Sequence, residues 1–156
     1  MKQRILIRSA ILFFFLTGLF LQTLAYAESC EKVVQAVNAR LSSGIDEQEL
    51  TEILRSLNMT NNKRLPPKFV NKHEAWSQGW KPGSDLWSVS ALRGSSMGGD
   101  HFKNLEARLP DNQWREADLD YKGGYRGGKR LIFSRDGERF VTVDHYKTFM
   151  EVPACR

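Results

Sequence analysis

The chain has 156 residues, 41% of them hydrophobic and 26% charged, the balance of a globular domain, with no internal repeat and no low-complexity tract. Its formal net charge is +5, but Lys2, Arg4 and Arg8 precede an apolar stretch and all 18 Asp+Glu lie beyond residue 27. Residues 28–156 therefore carry 20 Lys+Arg against 18 Asp+Glu, or +2, so net charge alone does not point to nucleic acid and any such function must rest on clustering.

Residues 1–27 have the layout of a secretory signal peptide: a basic start, an apolar run from Ile11 to Leu21, and small residues at −3 and −1 in Ala25-Tyr26-Ala27. Eleven residues fall short of the roughly 20 that span a bilayer, and Cys30 is not the first residue after Ala27, which argues against a lipid anchor. The expected mature chain is 28–156, exported and without a membrane anchor. Its two cysteines, Cys30 and Cys155, stand at opposite ends. In an exported protein they read as one disulfide tying the termini, with pairing to another chain as the alternative. There is no Cys-x-x-Cys to suggest redox chemistry.

Ser29 can cap a first helix with apolar positions Val33, Val34, Val37 and Leu41, ending near Gly44. Asp46-Glu47-Gln48-Glu49 resembles a capping box, followed by Leu50, Ile53, Leu54 and Leu57 at helical spacing. Asn58 to Asn62 end that helix, and Pro66-Pro67 forbid its continuation. Asn71 with Glu74 starts a short third helix running to Gly79, and Asp85 caps a fourth over 86–92. Beyond Gly94 the pattern changes to short runs punctuated by glycine, near 95–102, 113–119, 129–134, 139–144 and 148–152, with Asp136-Gly137 as a tight hairpin signal. Helices followed by hairpin-linked strands predict an α+β fold with an antiparallel sheet: a helical segment 28–64 and a core 65–156 within one domain.

In the run WREADLDY, alternation puts Trp114, Glu116 and Asp118 on one face and Arg115, Ala117 and Leu119 on the other. A face joining a large aromatic to two carboxylates is an odd core face. The strand half also holds Arg126, Arg130 and His145, with Lys72 at the start of the third helix. A carboxylate and an imidazole can pass protons in opposite directions near neutral pH, and nearby cations would hold a phosphate. Cleavage of a phosphodiester by its neighbouring 2′-hydroxyl needs that set and no metal. On composition alone, solvated charges on strands are the commoner explanation.

Five segments add to this: LPPKFVNKHEAWSQGW (65–80), SSMGGDHFKNLEARLP (95–110), QWREADLDY (113–121), YRGGKRLIFS (125–134) and VDHYKTF (143–149). In order and spacing they resemble the barnase type of microbial ribonuclease over about 85 residues, from Leu65 to Phe149. The resemblance implies Glu116 as general base, His145 as general acid, Arg126 and Arg130 as phosphate-binding arginines and Lys72 as support for the transition state. It further implies a 2′,3′-cyclic phosphate intermediate and no cofactor. The loop Phe102 to Glu106 aligns with the family's guanine-binding loop, with Asn104 and Glu106 in place, Leu105 where the family has an arginine and Lys103 where it has a serine. Tyr146 is the candidate platform for stacking a base, with a strand-end tyrosine covering the core as the plainer alternative. Expected partners are single-stranded RNA and a cytosolic inhibitor of the barstar type, for a monomeric enzyme. A binding module that kept the groove without catalysis is the alternative. Residues 28–44 and both cysteines lie outside the resemblance and look like an added helix and a staple.

Three features take plainer readings. Gly123 to Lys129 fits the spacing of a phosphate loop, but Arg130 replaces the required Ser/Thr and a strand follows, which rules it out. His73 and His101 show no metal-ligand spacing, so no metal site is expected. Trp76, Trp80, Trp87 and Trp114 are expected to pack in the core.

Overall fold

The computed structural model describes residues 27–156, so the signal-peptide expectation lies outside the described residues except for Ala27. Helix α1 (Cys30–Asn38) is capped by the Ser29 hydroxyl, and α2 (Glu47–Met59) by Asp46, which accepts from the Glu49 N–H at 3.0 Å. The first helix stops at Asn38, short of Gly44. The Asn38 amide there bonds Glu47 Oε1 at 2.8 Å and the Ile45 N–H at 2.9 Å, so its side chain stitches the interhelical turn. At α2 only half of the capping box forms. Buried Glu49 turns inward instead, taking Lys68 Nζ at 2.6 Å and the Asp120 N–H at 2.6 Å.

Next come β1 (Phe69–Val70), α3 (Lys72–Ser77) and two 3-10 turns (Leu86–Ser88 and Ser90–Leu92), then β2 (Ser96–His101), β3 (Arg115–Asp118), β4 (Arg130–Phe133), β5 (Arg139–Thr142) and β6 (Met150–Glu151). The predicted fourth helix is thus two separate turns. Asp85 caps only the first, bonding the Trp87 N–H at 2.9 Å, and Val89 between them is extended. Helix α3 has the full box, Asn71 and Glu74 each bonding the other's backbone N–H. The six strands follow one another in sequence order across the sheet. All pairs are antiparallel except β1 with β2, which the sequence pattern missed because β1 is two residues long.

The sheet's two faces divide the labour. Ala117, Leu131 and Val141 are in register across β3, β4 and β5 and pack, with Leu119 and Phe133, on Val34, Val37, Leu50, Leu54 and Leu57 of α1 and α2. On the other face Glu116 stands beside Ile132, and Asp118 beside Arg130, which in turn faces Thr142 on β5. The alternation read from WREADLDY therefore holds. The disulfide forms between Cys30 and Cys155, whose Cα atoms are 4.8 Å apart.

Candidate active site

The polar face is assembled by a β-bulge. Pairing between β2 and β3 slips between Gly98 and Asp100, where Gly99 has φ +92°, so that Asp100 comes opposite Glu116. The Asp100 carboxylate accepts the Lys72 N–H at 3.0 Å and thereby fixes the start of α3 against the sheet. Burial pushes the Asp100 carboxyl up, with the Lys72 N–H working against it. Lys72 Nζ then lies 3.6 Å from Glu116 Oε1.

Glu116 is buried, and its Oε2 accepts from the Tyr146 hydroxyl at 2.7 Å. Burial, followed by that bond to a carboxylate, pushes the Tyr146 phenol up to about 12, so it stays a donor at neutral pH. The Tyr146 ring stacks on Phe102 at 5.1 Å between centroids and lies 5.0 Å from the His145 ring. Tyr146 packs against the small Trp114–Ile132 core and also lines a cleft.

His145 is exposed on the turn after β5, and with Tyr146 it takes a left-handed backbone (φ +58° and +68°) that side chains normally avoid. The turn is held in several places. The His145 N–H bonds Gly128 O at 3.1 Å, and a Cβ on Gly128 would come within 3.1 Å of the His145 nitrogen. Asp144 accepts the Lys147 and Thr148 N–H groups and the Thr148 hydroxyl, which holds its carboxyl down at about 2.

The two arginines converge on Asp118. Arg126 makes a two-pronged pair with Asp118, Nε and Nη2 each donating at 2.6 Å. Arg130 Nε lies 2.9 Å from Asp118 Oδ1, an ion pair without hydrogen-bond alignment, while its Nη1 bonds the Gly127 and Lys129 carbonyls at 2.8 and 2.7 Å. Asp118, fully buried, is thus the residue that holds both arginines. Alternation along the strand places Asp118 on this face beside Glu116, but does not show which of the two carboxylates meets the arginines.

A cleft of about 310 Å³ joins Lys72, Glu116 and Tyr146 to the loop Lys103, Asn104, Leu105 and Glu106, with His101 and Arg108 also on its walls. Asn104, at φ +45°, braces that loop: its amide accepts the Leu109 N–H at 3.1 Å and donates to the Leu109 carbonyl at 2.7 Å. Glu106 pairs with Arg108 at 2.5 Å, and Arg108 also bonds the Lys147 carbonyl at 2.8 Å. Leu105 is exposed. A second cleft of about 510 Å³, lined by Lys72, Trp76, Trp80, Pro82, Tyr125 and Arg126, opens on the other side of Lys72. Trp76 departs from its expected place in the core, being 67% exposed, because α3 buries only Ala75. Among the described residues no cluster of three or more His, Cys, Asp or Glu is disposed to hold a metal ion.

Comparison with known proteins brings these pieces together. A family model described as ribonuclease matches residues 55–153. The chain is 42% identical over 93 residues, 58% of its length, to a ribonuclease of Heyndrickxia coagulans, covering 84% of that protein. It is equally similar to ribonucleases of Bacillus intermedius and Bacillus pumilus, covering 57% of each.

Proposed function

Because the chain belongs to the ribonuclease family, in its barnase-type branch, we propose that it is an endoribonuclease cutting single-stranded RNA on the 3′ side of guanine without a metal. The observation that carries this reading is the first cleft, where a base-sized recess walled by residues 103–106 runs into Glu116, Lys72 and Tyr146. In the first step Glu116 takes the proton of the 2′-hydroxyl, whose oxygen attacks phosphorus. His145 protonates the departing 5′-oxygen, giving a 2′,3′-cyclic phosphate and a free 5′-hydroxyl. In the second step water attacks the cyclic phosphate, with His145 taking its proton and Glu116 returning one to the 2′-oxygen. Lys72, Arg126 and Arg130 offset the charge that builds on the phosphate oxygens, the arginines being fixed in advance by Asp118.

Guanine preference is supported by the braced loop and by Glu106, whose carboxylate can accept from guanine N1–H and N2–H₂ by exchanging its exposed bond with Arg108. Arg108 also places a cation at the cleft, where Leu105 supplies none. Tyr146 serves mainly through its hydroxyl on Glu116, one ring face being taken by Phe102. Export fits the intramolecular disulfide and the leader-like sequence of residues 1–27. A monomer held in check before export by an acidic inhibitor of the barstar type completes the reading, since the cations Lys72 and Arg126 at the cleft suit an acidic partner.

The test is cleavage of GpA and ApA in EDTA by the wild type and by Glu116→Gln, following the cyclic phosphate. Rapid GpA turnover, slower ApA turnover and loss in the variant are expected. Failure of a folded protein to cleave either would leave an RNA- or inhibitor-binding module, and activity lost in EDTA would overturn the metal-free step.

A further inference from the structure

Four tryptophans give a contrast. The indole N–H of Trp80 bonds Ser84 O at 3.0 Å, that of Trp87 bonds Ser95 O at 2.7 Å, and that of Trp114 bonds Pro110 O at 2.9 Å. Trp76 has a different setting, two-thirds exposed on the wall of the second cleft, and Tyr125 on the same cleft is 90% exposed. Two large aromatic rings exposed on one cleft form the kind of apolar patch that marks an interaction site.

We propose that the Trp76–Tyr125 cleft is a second base subsite, which stacks a nucleobase of the RNA chain beyond the nucleotide seated at residues 103–106. The inference rests on the ribonuclease reading and extends it. Lys72 lines both clefts, so the two adjoin and one strand can reach from the first into the second. Trp76 lies one helical turn after Lys72 on α3, which puts the ring and the ammonium group on one helix face. Arg126 supplies a second cation, so the cleft joins aromatic faces to positive charge, the combination that binds single-stranded nucleic acid through base and backbone together.

Both rings stand on fixed mounts. The capping box and the Asp100–Lys72 bond hold α3. The Tyr125 loop is tied down by the Tyr121 hydroxyl, which donates to Asp85 at 2.8 Å, lies 3.0 Å from the Gly124 carbonyl oxygen and accepts the Leu86 N–H at 2.9 Å. At Gly123, φ +86°, a Cβ would come within 2.9 Å of the Trp87 ring, so this loop needs glycine to approach so closely. Aromatic stacking reads no hydrogen-bonding edge, so the subsite strengthens binding for any base.

The experiment compares kcat/KM for GpA with that for GpApA and ApGpA, in the wild type, Trp76→Ala, Trp76→Phe and Tyr125→Ala. At least one extension should raise kcat/KM in the wild type. Each alanine variant should lose about fivefold or more of that gain, Trp76→Phe should keep most of it, and GpA cleavage should stay at the wild-type rate. An extension gain that is absent in the wild type, or equal in all four proteins, overturns the subsite; the cleft would then suit a protein partner instead. If the wild type cleaves none of the three, the ribonuclease reading fails on its own. The subsite is then judged by fluorescence anisotropy of a labelled 2′-deoxy GAAA tetranucleotide: weaker binding by Trp76→Ala supports it, and equal affinity sinks it.

Discussion

Asp118 and Glu116 are two carboxylates two positions apart on one strand face, yet they are wired for different work. Asp118 lines neither the first nor the second cleft and holds two arginines; Glu116 lines the first cleft, accepts from the Tyr146 hydroxyl and pairs with Lys72 at 3.6 Å. Asp118→Asn leaves two buried or half-buried guanidinium groups without their counter-charge and should cost about 3–5 kcal/mol in urea unfolding, together with activity. Glu116→Gln is nearly isosteric and should lower kcat by about 10²–10⁴-fold while leaving the unfolding midpoint in place. A large loss of stability in Glu116→Gln would reassign it as a structural residue. Alternation along WREADLDY was enough to bring Trp114, Glu116 and Asp118 to one face. Which carboxylate would receive the arginines was not legible, because Arg126 sits in a loop whose path depends on Tyr121 reaching Asp85 and Leu86, 35 or more residues earlier in the chain.

Among the elements, those with a local cause were the readable ones. Ser29, Asp46 and Asn71 cap their helices as their spacing predicts, and the Asp136-Gly137 turn joins β4 to β5, with the Ser134 N–H bonding Glu138 O at 3.0 Å. The misread segment 86–92 has helical spacing, but Trp87 and Tyr121 meet edge to face at 5.6 Å and pull it into two turns, a tertiary effect invisible in the local pattern. The bulge at Gly99 is of the same kind, since its register is set by the partner strand. The turn after β5 gives a pH prediction. The Asp144 carboxyl is lowered from 3.8 to about 2 by Thr148, Lys147 and Thr142, so its carboxylate stabilises the turn above about pH 4. That contribution is lost as pH falls from 3.8 through about 2. The amide resonances of Lys147 and Thr148 should shift with a midpoint near 2, and a midpoint near 3.8 would show that the turn does not hold the carboxylate. Helix α3 offers a smaller test: Asn71→Ala should cost about 1 kcal/mol in unfolding and, by loosening Lys72, some activity.

At the scale of the molecule, α1 ties the chain to itself. Val33, Val34 and Val37 extend the core beneath the sheet, and the matched family segment begins only at residue 55. Cys30 bonds Cys155, the Cys30 N–H donates to Arg156 O at 3.2 Å, and the Arg156 N–H donates to Glu28 O at 3.0 Å. The two cysteines are 125 positions apart, for which chain entropy alone gives about 5 kcal/mol of stabilisation. Thiol reductant should lower the melting temperature of the wild type by roughly 10 °C and leave the Cys30→Ser, Cys155→Ser double variant unmoved. An unmoved wild type would mean that the core holds without the bridge. Covalently, the chain from 30 to 155 is a ring. A single cut by a protease in any of its loops, the exposed 103–108 segment included, opens the ring without releasing a fragment. The nicked protein would stay one molecule, with both halves of the sheet tethered for re-pairing, and only a second cut or a reductant would part them.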